Sequence, residues 1–243
     1  MVTWFTYSVV AVVLVLAGTA LFFFTLTRGA LLMRGALGRL QHDAAHVYPI
    51  YSNMRLIRLV DYQPIISAIL LFQYHRLVSR IVTELQRVKL AGKRVLITSC
   101  AFGNVLPRVV EAAVQSGTSD VLISDIVNNE LLNAQSKLQP FASKIRYISD
   151  DATAMQQPDA SVDVNVLFFL LHEMPEDVRR KTVAEALRVT KPGGKIVFVD
   201  YHRPRASSPF RYIMVPILTT LEPFAMDLWN DEITHWLPSD HGC

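Results

Sequence analysis

The segment Arg94-Val-Leu-Ile-Thr-Ser-Cys-Ala-Phe-Gly-Asn104 contains an apolar run and a short turn, and Pro107 follows it. The apolar run predicts a buried strand, and a proline favours the first turn of a helix. In nucleotide-binding α/β domains the ligand lies where strand ends and helix N-termini meet. This turn has one glycine, Gly103, in place of a glycine-rich run. We therefore expect a cofactor site at this position, with binding residues that differ from those of a glycine-rich turn.

Further apolar runs alternate with segments of helical period along the chain. They predict strands at residues 95–98, 121–124, 145–148, 162–169 and 196–199, with helices at 107–115, 130–138 and 175–189. Strands separated by helices predict an α/β fold with a doubly wound parallel sheet. Proline and glycine at 192–194 predict a turn before the fifth strand. No strand-like sequence follows Trp236, so we expect an uncovered sheet edge, which a partner chain would cover.

The start of the chain is the most apolar part of it. No charged side chain occurs from Val2 to Thr27. About 20 apolar residues cross a hydrocarbon core, so residues 1–28 are predicted to be a single transmembrane anchor. A cleaved signal peptide needs a basic region before its apolar core, and the sequence has none there. Arginines after the run predict an outside N-terminus and a cytoplasmic remainder at the inner membrane.

Residues 29–90 are predicted to be a juxtamembrane helical connector and lid, and residues 91–243 the α/β domain. The apolar run Pro64–Tyr74 is too short to span a bilayer, and a helical period continues from it to Val88. It therefore predicts one buried or interfacial helix. The runs at 64–74 and 210–229 either cover the core or admit a lipid substrate. A net charge of +3 does not indicate a nucleic-acid partner.

Several blocks resemble class I S-adenosylmethionine-dependent methyltransferases. The resemblance implies that the turn after the first strand holds the methionine end of the cofactor. It implies that Asp125 binds the ribose, because a carboxylate accepts two charge-assisted hydrogen bonds from a diol. Asp151 would contact adenine, with Asp150 competing for that role; the alternatives are a helix cap at Asp125 and a turn cap at Asp151. The implied cofactor residues are Cys100, Phe102, Gly103, Asn104, Asp125, Ile126, Asp151 and Ala152.

Longer blocks at 167–175, 199–204 and 221–229 are similar to the rhodoquinone-biosynthesis family RquA. This similarity implies an enzyme that replaces a methoxy group of ubiquinone by an amino group, with S-adenosylmethionine as nitrogen source and Mn²⁺ assisting. That family carries a tyrosine and an acidic residue where this chain has Phe102 and Asn104. The change removes the groups best suited to a cation.

Polar residues follow the fourth and fifth predicted strands, where reacting groups gather in open α/β sheets. An imidazole at that edge can move a proton near neutral pH, and Glu173 can orient it or bind a cation. The alternatives are a helix start with a packed His172 and a hydrogen-bonded strand exit at Asp200. The candidate catalytic residues are His172, Asp200, Tyr201 and His202.

The leading hypothesis is a membrane-anchored S-adenosylmethionine-dependent transferase that acts on an isoprenoid quinone or a similar lipid. One alternative is an ordinary quinone or lipid methyltransferase, which Phe102 and Asn104 favour. Another is a scaffold that keeps the fold without activity. The cysteines show no metal-ligand spacing, and Cys100 is either a nucleophile or a small buried side chain.

Overall fold

A parallel sheet occupies the centre of the protein in this computed structural model, which describes residues 6–18, 21, 51, 53–70, 72–208, 211, 215, 224–231 and 233–237. Its strands are β1 (Arg94–Thr98), β2 (Asp120–Asp125), β3 (Ile145–Ser149), β4 (Val162–Phe168) and β5 (Thr190–Val199). They lie in the order β3-β2-β1-β4-β5. The order reverses between β1 and β4, so a crevice opens at their carboxyl ends. The predicted doubly wound α/β sheet is confirmed.

Helices cover both faces of this sheet. The helices of the described chain are α1 (residues 6–18), α2 (Met54–Asp61), α3 (Gln63–Ile69), α4 (Tyr74–Gln86), α5 (Val105–Gln115), α6 (Asn128–Lys137), α7 (Glu176–Val189) and α8 (Ala225–Asn230). Successive strand residues point to opposite faces. Val95 and Ile97 therefore join the core beneath α4, α5 and α6, while Leu96 joins the core beneath α7.

The run from residue 64 to residue 88 forms two helices, so the prediction of one continuous helix was wrong. α3 ends at Ile69, and Phe72 takes a left-handed φ of 60° before α4 begins. The N–H of Phe72 donates to the carbonyl of Ser67 at 2.7 Å and closes the turn. The break directs the Tyr74 side chain into the core, where it is fully buried. Periodicity misses this break because both helices keep the same apolar spacing.

The turn predicted at residues 192–194 lies within β5 rather than before it. Val162 pairs with Thr190 and Val164 pairs with Lys195, so the intervening residues of β5 form a bulge. A Cβ at Gly194 would lie 2.9 Å from the carbonyl oxygen of Asp163, so the bulge needs a glycine there. Within the described residues β5 pairs with β4 alone, and its cover by a partner chain stays a prediction.

The predicted membrane segment is described only in part. Residues 6–18 are helical and exposed. Residues 1–5, 19–20 and 22–28 lie outside the described residues, as do most of the predicted connector before residue 51 and most of the 210–229 run. Across the part of the chain that is described, no helix combines the length and the apolarity needed to cross a bilayer.

Candidate active site

A cleft of about 270 Å³ lies at the carboxyl ends of the strands, next to the point where the strand order reverses. Both halves of the sheet contribute to it. The predicted cofactor residues that line it are Cys100, Asp125, Ile126, Asp151 and Ala152. Asp150, the alternative to Asp151, lines it as well, and the lining residues without a predicted cofactor role include Tyr51, Ser99, Glu130, Glu173 and Lys181.

Asp125 ends β2 at the floor of the cleft and is buried. Its Oδ2 accepts the N–H of Cys100 at 2.6 Å, and its Oδ1 accepts the N–H of Val127 at 2.8 Å. Burial raises the pKa of this carboxyl. The N-cap of α6 is Val127, so Asp125 ties the two strand ends together rather than capping the helix. The side chains of Cys100 and Ser99 also hydrogen-bond to this carboxylate.

The two aspartates after β3 differ in their surroundings. Asp150 is buried, its oxygens accept the N–H of Gln156 at 3.2 Å, and burial raises its pKa. Asp151 is exposed, and its Oδ1 accepts both the N–H and the hydroxyl of Thr153 at 2.8 Å. Asp151 thus caps its own turn, as one sequence alternative expected, and both residues line the cleft.

Phe102, Gly103 and Asn104 do not line this cleft, unlike the other predicted cofactor residues. Their turn faces the helices α2 to α4 instead. The N–H of Gly103 donates to Asp61 Oδ1 at 2.8 Å, and the N–H of Asn104 donates to Gln63 Oε1 at 3.1 Å. Side chains from before β1 therefore bind the main-chain donors of the turn that was expected to hold the methionine end of the cofactor.

Gly103 is needed for packing in this structure. Its φ is +79°, and a Cβ there would lie 2.5 Å from Tyr74 Oη. The Tyr74 hydroxyl donates to the carbonyl of Phe102 at 2.8 Å and accepts the N–H of Val105 at 2.7 Å. Gly103 was implied to be a cofactor residue, but in this structure the Tyr74 side chain fills the space beside it.

Two glutamates stand in the cleft with raised pKa values. Burial is the largest cause for both, and the negative charge of Asp125 adds to it; the pKa reaches about 8 for Glu130 and about 7 for Glu173. Tyr51 donates its hydroxyl to Glu173 Oε1 at 2.7 Å, and burial raises the pKa of this phenol as well. A sequence signal for Glu130 exists, since it falls on the apolar stripe of α6 beside buried Leu131.

His172 and Asp200 form a hydrogen-bonded pair at the ends of β4 and β5. His172 Nδ1 lies 2.9 Å from Asp200 Oδ1, and the other carboxylate oxygen accepts the N–H of Leu171 at 2.8 Å. Burial lowers the pKa of the imidazole, but the attraction and hydrogen bond of Asp200 outweigh it, so the pKa lies above its ordinary value. The ring packs edge-on against Tyr201, with centroids 4.7 Å apart.

The structure thus joins three of the four predicted catalytic residues. His202 is exposed, and its Nδ1 lies 2.8 Å from the carbonyl oxygen of Arg203, outside the group. None of the four lines the 270 Å³ cleft, although Glu173, the residue after His172, does. The pair therefore lies beside the cofactor cleft, on the side of β4 and β5.

Residues 57–225 match the model of the ubiE/COQ5 methyltransferase family. The chain belongs to this family. It is 34% identical over 125 residues to demethylmenaquinone methyltransferase of Renibacterium salmoninarum, covering 48% of this chain and 50% of that protein. It is 25% identical over 155 residues to the ubiquinone/menaquinone biosynthesis C-methyltransferase UbiE of Stutzerimonas stutzeri, covering 60% and 59%. The chain thus spans between half and three fifths of these relatives.

Among solved structures, the chain is similar to an S-adenosylmethionine-dependent methyltransferase from Aquifex aeolicus. The TM-score is 0.47 at 20% identity, over 71% of this chain and 87% of that one.

Arg179 holds the turn that carries His172 and Glu173 in this ubiE/COQ5 family member. The guanidinium is fully buried and donates to the carbonyls of Leu171 at 3.1 Å and Met174 at 2.9 Å. It also lies over the Trp236 ring, 4.6 Å from the centroid. Arg179 was not predicted from the sequence, because a lone arginine on a charged helix has the pattern of a surface residue.

The remaining predictions concern metal and thiol chemistry. Among the described residues, no group of three or more histidine, cysteine, aspartate or glutamate side chains is arranged to hold a metal ion. The Mn²⁺ that the rhodoquinone resemblance implies therefore does not fit them. Burial raises the pKa of the Cys100 thiol well above its ordinary value. Because the thiolate is the nucleophile, the small buried side chain is the alternative that this geometry favours.

Proposed function

We propose that this protein is an S-adenosylmethionine-dependent methyltransferase that methylates a ring carbon of an isoprenoid quinol. The observation that carries the proposal is the strand-end cleft with Asp125 on its floor, in a chain of the ubiE/COQ5 family. Two similar relatives are named for demethylmenaquinone methylation and for ubiquinone/menaquinone C-methylation. A quinone is the substrate class that these names share.

The residues of the cleft fit the cofactor. Asp125 would accept hydrogen bonds from the ribose hydroxyls in addition to the N–H groups of Cys100 and Val127. Asp150, Asp151 and Ala152 line the part of the cleft after β3, where the adenine would lie. The bound cofactor supplies a methyl group made electrophilic by a positively charged sulfur.

His172 is the proposed general base for the quinol. Asp200 binds Nδ1 at 2.9 Å, which leaves Nε2 to take the proton from a quinol hydroxyl. Loss of that proton makes the ring carbon beside the hydroxyl a better nucleophile. Phe169 and Tyr201 pack edge-on around the imidazole at 5.8 and 4.7 Å and would offer an aromatic wall to the quinol ring.

We also propose that the enzyme works at the inner membrane, anchored by residues 1–28, with the N-terminus outside. The charge-free run from Val2 to Thr27 supports an anchor, and a polyprenyl quinone dissolves in the bilayer. Cell fractionation with an alkaline carbonate wash tests this: the protein should stay in the membrane pellet, and its release by the wash contradicts the anchor.

The aminating reaction of rhodoquinone biosynthesis is the second candidate, supported by the similarity of the 167–175, 199–204 and 221–229 blocks. Phe102 favours methylation. Its ring stacks on Tyr51, with centroids 6.1 Å apart and planes at 11°, in place of the hydroxyl that the aminating family carries.

Mass spectrometry of quinones from cells with and without the gene separates these functions. We expect a product heavier than its precursor by one methylene unit. A product in which an amino group replaces a methoxy group would instead establish amination. If the quinones do not depend on the gene and the purified protein does not bind S-adenosylmethionine, the inactive scaffold is the correct alternative. Unchanged affinity of Asp125→Ala would instead remove Asp125 from the cofactor site.

A further inference from the structure

Glu130 has an unusual combination of burial and missing contacts. The residue is 2% exposed, lines the cleft, and its Oε1 has no hydrogen-bond partner in the described structure. Buried carboxylate oxygens normally accept hydrogen bonds, because an unpaired buried acceptor is unfavourable. Because Glu130 lines the cleft, a ligand bound there can bring the donor that this buried oxygen lacks.

Among the described residues, no lysine, arginine or histidine side chain forms an ion pair with Glu130. Lys137 lies on the same helix, but its Nζ donates to Asp61 Oδ1 at 2.7 Å and to the carbonyl of Gly103 at 3.2 Å. The ammonium of Lys137 is thus committed to α2 and to the turn after β1. The titratable groups whose charges act with or on Glu130 are Asp125, Glu173, Asp61, Lys137, Tyr51 and Cys100. All of them except Lys137 are acids, so negative groups outnumber positive ones among the described residues that act on Glu130.

The turn after β1 offers a ligand few other acceptors. The carbonyl of Phe102 accepts the Tyr74 hydroxyl at 2.8 Å. The carbonyls of Ala101 and Gly103 accept the ammonium of Lys137 at 3.4 and 3.2 Å. A cationic group that enters beside Cys100 therefore meets, on α6, an acceptor oxygen that no protein donor shares.

We propose that Glu130 binds the α-ammonium group of the methionine end of the cofactor, as its charged hydrogen-bond acceptor. The inference rests on the proposed function and adds a specificity residue to it. An ammonium group fits the unpaired oxygen because it carries three N–H donors, whereas a sulfonium carries none. Nucleosides without the amino-acid part would not use Glu130.

This assignment couples binding to proton release. Burial raises the pKa of Glu130 to about 8, so the carboxyl of the empty site is largely protonated at neutral pH. An ammonium partner favours the carboxylate, and binding then expels the proton. Affinity for a ligand with an ammonium group should therefore rise between about pH 6 and about pH 8.

Calorimetry on the full chain tests the proposal with three ligands: S-adenosylmethionine, S-adenosylhomocysteine and 5′-methylthioadenosine. The last lacks both the ammonium and the sulfonium. Glu130→Gln should weaken the first two by about tenfold or more and change the third by less than about twofold. Titrations in buffers of different ionisation enthalpy should show about one proton fewer released by Glu130→Gln than by the wild type near neutral pH.

Two further variants distinguish a charged-acceptor role of Glu130 from a structural role. Glu111→Gln on the exposed face of α5 is the matched control and should behave as the wild type. Glu130→Asp keeps the charge on a shorter side chain and should recover part of the proton release, which a purely structural role would not predict.

Several outcomes overturn the proposal. Equal weakening of all three ligands by Glu130→Gln would show a structural role. Weakening of S-adenosylmethionine alone would assign Glu130 to the sulfonium. If wild-type protein binds S-adenosylmethionine and Glu130→Gln binds it equally well, this inference fails while the proposed function stands. If wild-type protein binds none of the ligands, both fail.

Discussion

The turns after β1 and β4 lie side by side where the strand order reverses, yet they are built differently. Both begin with a non-glycine residue in the left-handed region, Ser99 with a φ of 78° and Phe169 with a φ of 53°. After that residue, main-chain groups of the β1 turn bond to side chains of α2 to α4. In the β4 turn the side chains make the contacts: His172 pairs with Asp200, and Glu173 lines the cleft.

The contrast shows that equivalent positions in one sheet can serve different purposes. The donors of the β1 turn are satisfied within the protein, so this turn fixes the helices over the cleft. The β4 turn carries groups whose pKa values burial and charge have shifted, a common property of catalytic groups. The β1 turn thus marks the position of the cleft, and in the proposed function the β4 turn supplies the reacting groups.

The largest expected effect is on catalysis at the β4 turn. His172→Gln should lower the rate of methyl transfer by about 100-fold or more, because the proposed base is lost. Affinity for S-adenosylmethionine should hardly change, since His172 does not line the cleft. Initial rates and calorimetry measure the two quantities, with His75→Gln on the exposed side of α4 as control. Full activity of His172→Gln would contradict the proposed role of His172 as the general base.

Gly103→Ala should destabilise the protein by about 3 kcal/mol, because the new Cβ combines backbone strain with overlap. The Cβ would lie 2.5 Å from Tyr74 Oη. Gly92 is the matched control. Its φ is +70° and nothing lies within 4 Å of an added Cβ, so Gly92→Ala introduces the backbone strain without any overlap. Urea unfolding measures both. Equal losses in the two variants would mean that Tyr74 does not constrain the β1 turn.

Tyr74→Phe should cost about 2 kcal/mol of unfolding free energy, because the carbonyl of Phe102 and the N–H of Val105 both lose their partner. Cofactor affinity should stay close to the wild-type value, since this face of the turn points away from the cleft. Urea unfolding and calorimetry on the same preparation check the two statements. A large loss of affinity without a loss of stability would contradict the contrast between the turns.

The smallest effect concerns the pH dependence of stability. Burial raises the pKa of Glu173 from 4.5 to about 7, so the folded protein holds a proton that the unfolded chain has lost in this range. Wild-type stability should therefore fall as pH rises from about 4.5 to about 7. Glu173→Gln removes this pH dependence. Between about pH 4.5 and about pH 7 its free energy of unfolding should rise by about 1 kcal/mol relative to the wild type, a value reduced for the partial exposure of Glu173. Unfolding at several pH values measures it, and parallel curves contradict it.

Much of the fold followed from pattern. Apolar runs of strand length, alternating with helical periods, were enough for the five strands and for α5, α6 and α7, because burial imposes those periods locally. The position of the cleft followed too, since in a doubly wound sheet it depends on strand order. Asp125 was predicted to be a site residue because it lies at the end of β2.

The orientation of the β1 turn and the break between α3 and α4 were decided by tertiary packing. Both depend on Tyr74, which reaches the turn from a helix that precedes β1, and no local period encodes that distance along the chain. The missing partner of Glu130 also depends on tertiary contacts, because Lys137 of the same helix bonds to Asp61 and to the carbonyl of Gly103 instead. A hydrogen bond between distant residues, or the lack of one, depends on three-dimensional proximity, whereas periodicity reports only which face of an element is apolar.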